Sequence, residues 1–146
     1  MDFALTPAQQ EVQFKARQFA EQEVAPVARA SDERGEFPLH LVKRLAELGF
    51  LAGPVDPAYG GSGMDCVSYA LLCEELGHVD SSVRGFLTVH ASLVSLCIQD
   101  WGMEVQKQHY LPLLASGEWI GCYALTEPEA GSDAASMEMT ARDEGD

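Results

Sequence analysis

The spacing of apolar residues changes once along this chain, just after Gly117, and that change restricts the folds open to it. Val12, Ala16, Phe19, Ala20, Val24 and Val27 recur at three- and four-residue intervals, the stripe of an amphipathic helix. Thr6 is placed to cap this helix, with Pro7 in its first turn, and the polar run Ser31–Glu36 predicts its end. Pro38 opens a second helix through Leu41, Leu45 and Leu48, with Gly49 as its stop and Phe50 folding back on Leu45. After a Pro/Gly-rich loop from Gly53 to Gly63, Asp65 caps a third helix that ends near Gly77. Asp80 or Ser81 caps a fourth, the most apolar, ending near Gly102, and Glu104 to Ala115 make the last.

From Trp119 onward the helical period is gone. Ile120, Cys122, Ala124 and Leu125 sit in a short apolar run, and Ser136 to Arg142 alternates Met137, Met139 and Ala141 with polar residues. These predict strands over 119–126 and 136–142. The expected fold is mainly α: an antiparallel helical bundle over residues 1–117, then the first strands of a β domain over 118–146. Two strands without partners are marginal, so the chain is expected to be part of a larger architecture.

A chain of 146 residues with 47% hydrophobic content can bury a real core. Its formal charge of −14 opposes the phosphate neutralisation that nucleic-acid binding needs, and it disfavours anionic membrane surfaces. Met1 to Pro7 lacks the basic and apolar regions of a secretory leader. The apolar stretch Gly85–Ile98 is interrupted by Thr88, His90, Ser92 and Ser95, which predicts a buried core helix instead of a membrane span. Cys66, Cys73, Cys97 and Cys122 form no CxxC pair and no metal-ligand spacing. Cys66 and Cys73 would stand about 10 Å apart along one helix, too far for a disulfide. Buried, reduced thiols in a cytoplasmic protein are expected.

The segment Tyr123-Ala124-Leu125-Thr126-Glu127-Pro128-Glu129-Ala130-Gly131-Ser132-Asp133 carries the chemical signal. A strand that breaks into a Pro/Gly/Ser/Asp turn delivers its end to a ligand, and a simple hairpin turn is the alternative. Gly131 permits close approach and unusual backbone angles, so main-chain N–H groups beside it are free to face an anion. The segment resembles the flavin-contacting motif of acyl-CoA dehydrogenases, Tyr/Phe-x-x-Thr-Glu-Pro-x-x-Gly-Ser-Asp. Pro54–Gly63 is similar to the family's loop after its second helix, and Gln106–Glu118 to its last N-terminal helix entering the first strand. The resemblance covers the whole chain. Glu129 departs from it, standing where the family often has Gly.

The resemblance implies an N-terminal helical domain and the start of a β-barrel-like middle domain. It implies an FAD-dependent enzyme that introduces an α,β double bond into an acyl-CoA, passes electrons to an electron-transfer flavoprotein or similar acceptor, and forms a homo-oligomer, typically a tetramer. Tyr123, Leu125 and Thr126 would line the flavin ring. Gly131 and Ser132 would approach its pyrophosphate, with Ser132 also touching the CoA part of the substrate. The family's catalytic base is a Glu of the C-terminal helical domain, outside this sequence, so no catalytic residue is assigned. Glu127 is read as a turn-stabilising carboxylate.

Arg84 is the only Lys or Arg between Leu45 and Gln106, and Thr88 lies four residues on, on the same helix face. An Arg beside a hydroxyl makes a carboxylate receptor. Glutaryl-CoA dehydrogenases carry a similar pair for the distal carboxylate of a dicarboxylyl substrate. The alternative is a surface ion pair from Arg84 to Asp80 or Glu75. His90, His109, Trp101 and Trp119 read as structural. Two other functions stay open: a dehydrogenase of carrier-protein-bound acyl groups, and a non-catalytic helical interaction module.

Overall fold

The computed structural model describes residues 3–145, so the leader reading at Met1 and Asp2 lies outside the described residues. Helix α1 (Pro7–Phe19) starts from a capping box in which Thr6 accepts from the Gln9 N–H and the Gln9 side chain accepts from the Thr6 N–H. It runs through a π-helical turn (Ala20–Val24) into α2 (Ala25–Arg34) without a break. Pro26 explains the turn: it has no N–H to offer the preceding turn, and a widened backbone absorbs that loss. The rod therefore passes through the polar Ser31–Arg34 stretch that was expected to end it, and stops at Gly35 in the left-handed region.

Helix α3 (His40–Glu47) begins two residues after Pro38, whose carbonyl accepts from the Leu41 N–H. Gly49, at φ 72°, lets Phe50 N–H turn back to the Leu45 carbonyl at 2.8 Å, the predicted stop. Helix α4 (Cys66–Val79) is capped by Asp65 on the Ser68 N–H. Asp80, not Ser81, caps α5 (Ser81–Thr88), accepting from the N–H groups of Ser82 and Val83. A second π-helical segment (Val89–Ser95) joins α5 to α6 (Leu96–Trp101), and α7 (Glu104–Ala115) closes the bundle.

The core follows from the predicted stripes. Ala16, Phe19 and Val24 of the first rod meet Leu41 and Leu45 of α3, Leu72 and Leu76 of α4, and Val83 and Leu87 of α5. Phe50 sits under them edge-on to Phe19, ring centroids 6.3 Å apart. Ala52, Val55, Leu111 and Leu114 form a smaller cluster that seats α7. Ser81–Trp101 is long and apolar enough to cross a membrane by length and composition, yet it carries Arg84 and buries His90 and Ser95. It is a core helix on one face only: Leu93 and Trp101 stand exposed.

Two expectations fail. Among the described residues there is no strand: 119 is a bend, and 120–127 and 137–142 belong to no ladder, with a 3₁₀ turn (Ala134–Ser136) between them. A ladder needs neighbours on both sides of a hairpin this short, and none is present to supply them. The cysteines are free, but Cys66, Cys97 and Cys122 are exposed and only Cys73 is partly buried.

Candidate functional site

The segment after α7 is tied to the bundle first at Trp119, whose N–H donates to the Leu113 carbonyl at 3.1 Å and whose ring packs on His109 and Tyr110, and then at Gly121. Gly121 N–H donates to His90 Nδ1 at 3.2 Å, and Val94 fills the space where a side chain at 121 would stand. Beyond that tie Tyr123, Leu125 and Thr126 are all exposed, two aromatic or aliphatic side chains and a hydroxyl with no partner among the described residues.

The turn that follows is built from main-chain groups. Glu127 and Ala130 exchange N–H···O bonds at 2.9 and 3.2 Å across Pro128 and Glu129. Among the described residues no non-glycine has positive φ, so Glu129 occupies this turn without the left-handed backbone that a Gly there would allow. Gly131 is also outside the positive-φ region, against expectation. What it offers is room: a methyl group placed on it would meet no atom within 4 Å. The main-chain N–H groups and the hydroxyl at Gly131 and Ser132 have no acceptor or donor among the described residues. An exposed apolar edge ending in free donors beside a bare glycine suits a flavin ring and its pyrophosphate. Glu127 does what its turn reading expected, accepting from Glu138 N–H at 2.7 Å and Met139 N–H at 3.0 Å.

The second set of residues lies between α4 and α5. Tyr69, Cys73 and Gly77 recur at helical spacing on α4, opposite Arg84, Thr88 and Ser92. Arg84 lies across Gly77: a methyl group there would stand 3.5 Å from Arg84 Cγ and 3.9 Å from Nε. Ser92 donates to the Tyr69 hydroxyl at 2.8 Å. Burial pushes the Tyr69 phenol up to about 12, opposed by the Ser92 hydrogen bond and by the charge of Arg84. Burial likewise pushes the Cys73 thiol up.

Both alternative partners of Arg84 are engaged elsewhere. Glu75 is held by Arg17, and Asp80 caps α5. Arg84 makes no ion pair among the described residues. Thr88 is less available than its spacing promised, because its hydroxyl donates to the Arg84 and Gly85 carbonyls at 3.2 and 3.0 Å. Its lone pairs remain, but its proton is used. A broad groove of about 810 Å³ beside Phe37 and Asp80 contains none of the sequence-predicted site residues.

The acyl-CoA dehydrogenase N-terminal domain matches residues 6–118. The chain belongs to the acyl-CoA dehydrogenase family. It is 44% identical to the short-chain-specific acyl-CoA dehydrogenase of Clostridium acetobutylicum over 146 residues, 100% of this chain and 38% of that protein. A glutaryl-CoA dehydrogenase from Mycobacterium smegmatis in complex with FADH2 superposes with a TM-score of 0.86 at 38% identity, covering 91% of this chain and 34% of that one. Butyryl-CoA dehydrogenase from Megasphaera elsdenii gives 0.83 at 38% identity, over 92% and 36% of the two chains. The chain thus spans 38% of the length of the Clostridium relative.

For a chain of the acyl-CoA dehydrogenase family, the structure adds three residues that the sequence reading passed over. His90 was read as structural with no partner identified, and Tyr69 and Gly121 were not singled out. The clue to Gly121 was faint: a glycine inside a predicted strand marks close approach by another backbone or side chain.

Proposed function

We propose that the intact protein is an FAD-dependent dehydrogenase that introduces an α,β double bond into an acyl-CoA and passes electrons to an electron-transfer flavoprotein. The observation that carries this reading is the set of exposed side chains at Tyr123, Leu125 and Thr126 followed by the free N–H groups at Gly131 and Ser132. Tyr123 and Leu125 offer an apolar wall to the flavin ring, and Thr126 a hydroxyl to its polar rim. The free N–H groups at Gly131 and Ser132 face the pyrophosphate, and Ser132 also meets CoA. When bound, FAD supplies the hydride acceptor for the β hydrogen. This chain's part is to bind, orient and exclude water; the α-proton base is assigned to no residue here.

A narrower substrate class follows from Arg84. A half-buried guanidinium without an ion-pair partner among the described residues, one helical turn from Thr88, suits an acyl chain ending in a carboxylate. The test is the visible flavin spectrum of the purified intact protein during anaerobic titration with glutaryl-CoA, butyryl-CoA and the same acyl groups on a carrier protein. Bleaching by glutaryl-CoA in preference to butyryl-CoA is expected. Absence of flavin would sink the whole proposal, and bleaching by carrier-bound groups alone would move the substrate off CoA.

A further inference from the structure

The geometry points to His90 as the positioning residue that docks the flavin-contacting segment onto the bundle, through one defined tautomer of its imidazole. This rests on the reading of residues 123–132 as that segment.

His90 is fully buried and its ring is bonded on both sides. On one side Nδ1 receives the Gly121 N–H at 3.2 Å. A main-chain N–H can only donate, so Nδ1 must be bare and the proton must sit on Nε2. Nε2 then donates to the Leu114 carbonyl at 3.0 Å. That carbonyl is in the last turn of α7 and also accepts from the Gly117 N–H at 3.1 Å, so His90 joins the turn that ends the helix. Protonating both nitrogens would set two N–H groups against each other, so the imidazole must stay neutral. Burial favours the same state by pushing its pKa down, and Phe86 stacks on the ring at 5.8 Å between centroids.

His90 lies in the π-helical segment Val89–Ser95. Within it the Ser95 hydroxyl donates to the His90 carbonyl at 2.8 Å. Val94, in the same segment, packs on Gly121, where a side chain would stand 2.6 Å from Val94 Cγ1. Residue 121 is thereby fixed by a hydrogen bond on one side and a methyl group on the other, two residues before Tyr123. Leu114 and Gly121 flank the junction between helix and extended chain. One imidazole thus bonds both elements, two residues beyond the Trp119 N–H bond to the Leu113 carbonyl.

The two bonds can be separated by substitution, because an Asn amide oxygen reproduces Nδ1 as an acceptor and a Gln amide nitrogen reproduces Nε2 as a donor. The experiment is hydrogen exchange on the intact protein, read over residues 119–125 and over the end of α7, together with flavin affinity. His90→Gln should speed exchange at 119–125 roughly tenfold and weaken flavin binding by a similar factor, with α7 protected. His90→Asn should leave 119–125 near the wild-type rate and loosen the end of α7 instead. Equal loosening of both regions by both variants would reduce His90 to a space-filling residue and overturn the proposal. Should neither variant fold, the wild-type imidazole ¹⁵N spectrum decides: a proton on Nδ1 would overturn it. If 119–125 responds to His90 while the wild-type protein binds no flavin, the docking stands and the flavin reading falls.

Discussion

Arg17 and Glu75 join α1 to α4 by a two-point ion pair, Nε to Oε2 at 2.9 Å and Nη2 to Oε1 at 2.6 Å. The Glu75 side chain is only 9% exposed whereas that of Arg17 is 54% exposed. The two ends are therefore unequal: Arg17 freed of its partner returns to water, but Glu75 freed of its partner stays a charge in an apolar wall. Arg17→Ala is expected to lower Tm by about 4 °C, and Glu75→Gln by less, in thermal unfolding at neutral pH. The hydrogen bond from Arg17 holds the Glu75 carboxyl below its usual 4.5. A depressed carboxylate contributes stability above 4.5 that is lost as pH falls through its folded value. The gap between wild type and Arg17→Ala should accordingly close below pH 4.5, and a constant gap would rule this account out.

Arg84→Met should lower kcat/KM for a dicarboxylyl-CoA by roughly ten- to a hundredfold in the intact enzyme. Butyryl-CoA should be used equally well or better, since the change removes a half-buried cation that has no ion-pair partner among the described residues. Thr88→Val should do much less, because the Thr88 proton already serves the Arg84 and Gly85 carbonyls. Parallel losses on both thioesters would assign Arg84 to folding.

Gly121→Ala would drive a methyl group to 2.6 Å from Val94 Cγ1. Overpacking of this kind costs about 1–3 kcal/mol. Chemical denaturation should show the loss, and adding Val94→Ala should recover most of it. No recovery in the double variant would mean that the glycine matters for its backbone and not for its neighbour.

Large apolar side chains surround the corner between α6 and α7, with Trp101 at 86% exposure and Met103 and Val105 beside it. Surfaces like this bury themselves when they meet. The 146-residue chain expressed by itself should self-associate in light scattering, and Trp101→Gln should reduce this association. A monodisperse monomer would show that the corner tolerates water.

The helices were legible in the sequence because each kept a clean apolar stripe and a cap of known chemistry: Thr6, Asp65, Asp80 and Gly49 all sit where the pattern put them. The continuation past Ser31 was hidden because polar residues carry no stripe, and there the helix ends where Gly35 permits it. The strands were misjudged because alternation marks a residue's fitness for a sheet and not the presence of one; Tyr123 to Thr126 has the composition without the neighbours. At the site, Arg84 could be singled out as a lone cation among apolar residues. His90 could not, since its meaning lies in Leu114 and Gly121, contacts at sequence separations that no local pattern encodes.

Glu127 puts both its oxygens on the N–H groups of Glu138 and Met139, so one side chain spans the gap that a ladder would otherwise close. The offset between the two segments is thus held by a side chain and not by main-chain pairing. Such a scheme places the whole alternation of inward and outward residues under the control of a single carboxylate. A one-atom change to glutamine, which withdraws one acceptor, touches the frame in which every following residue is read.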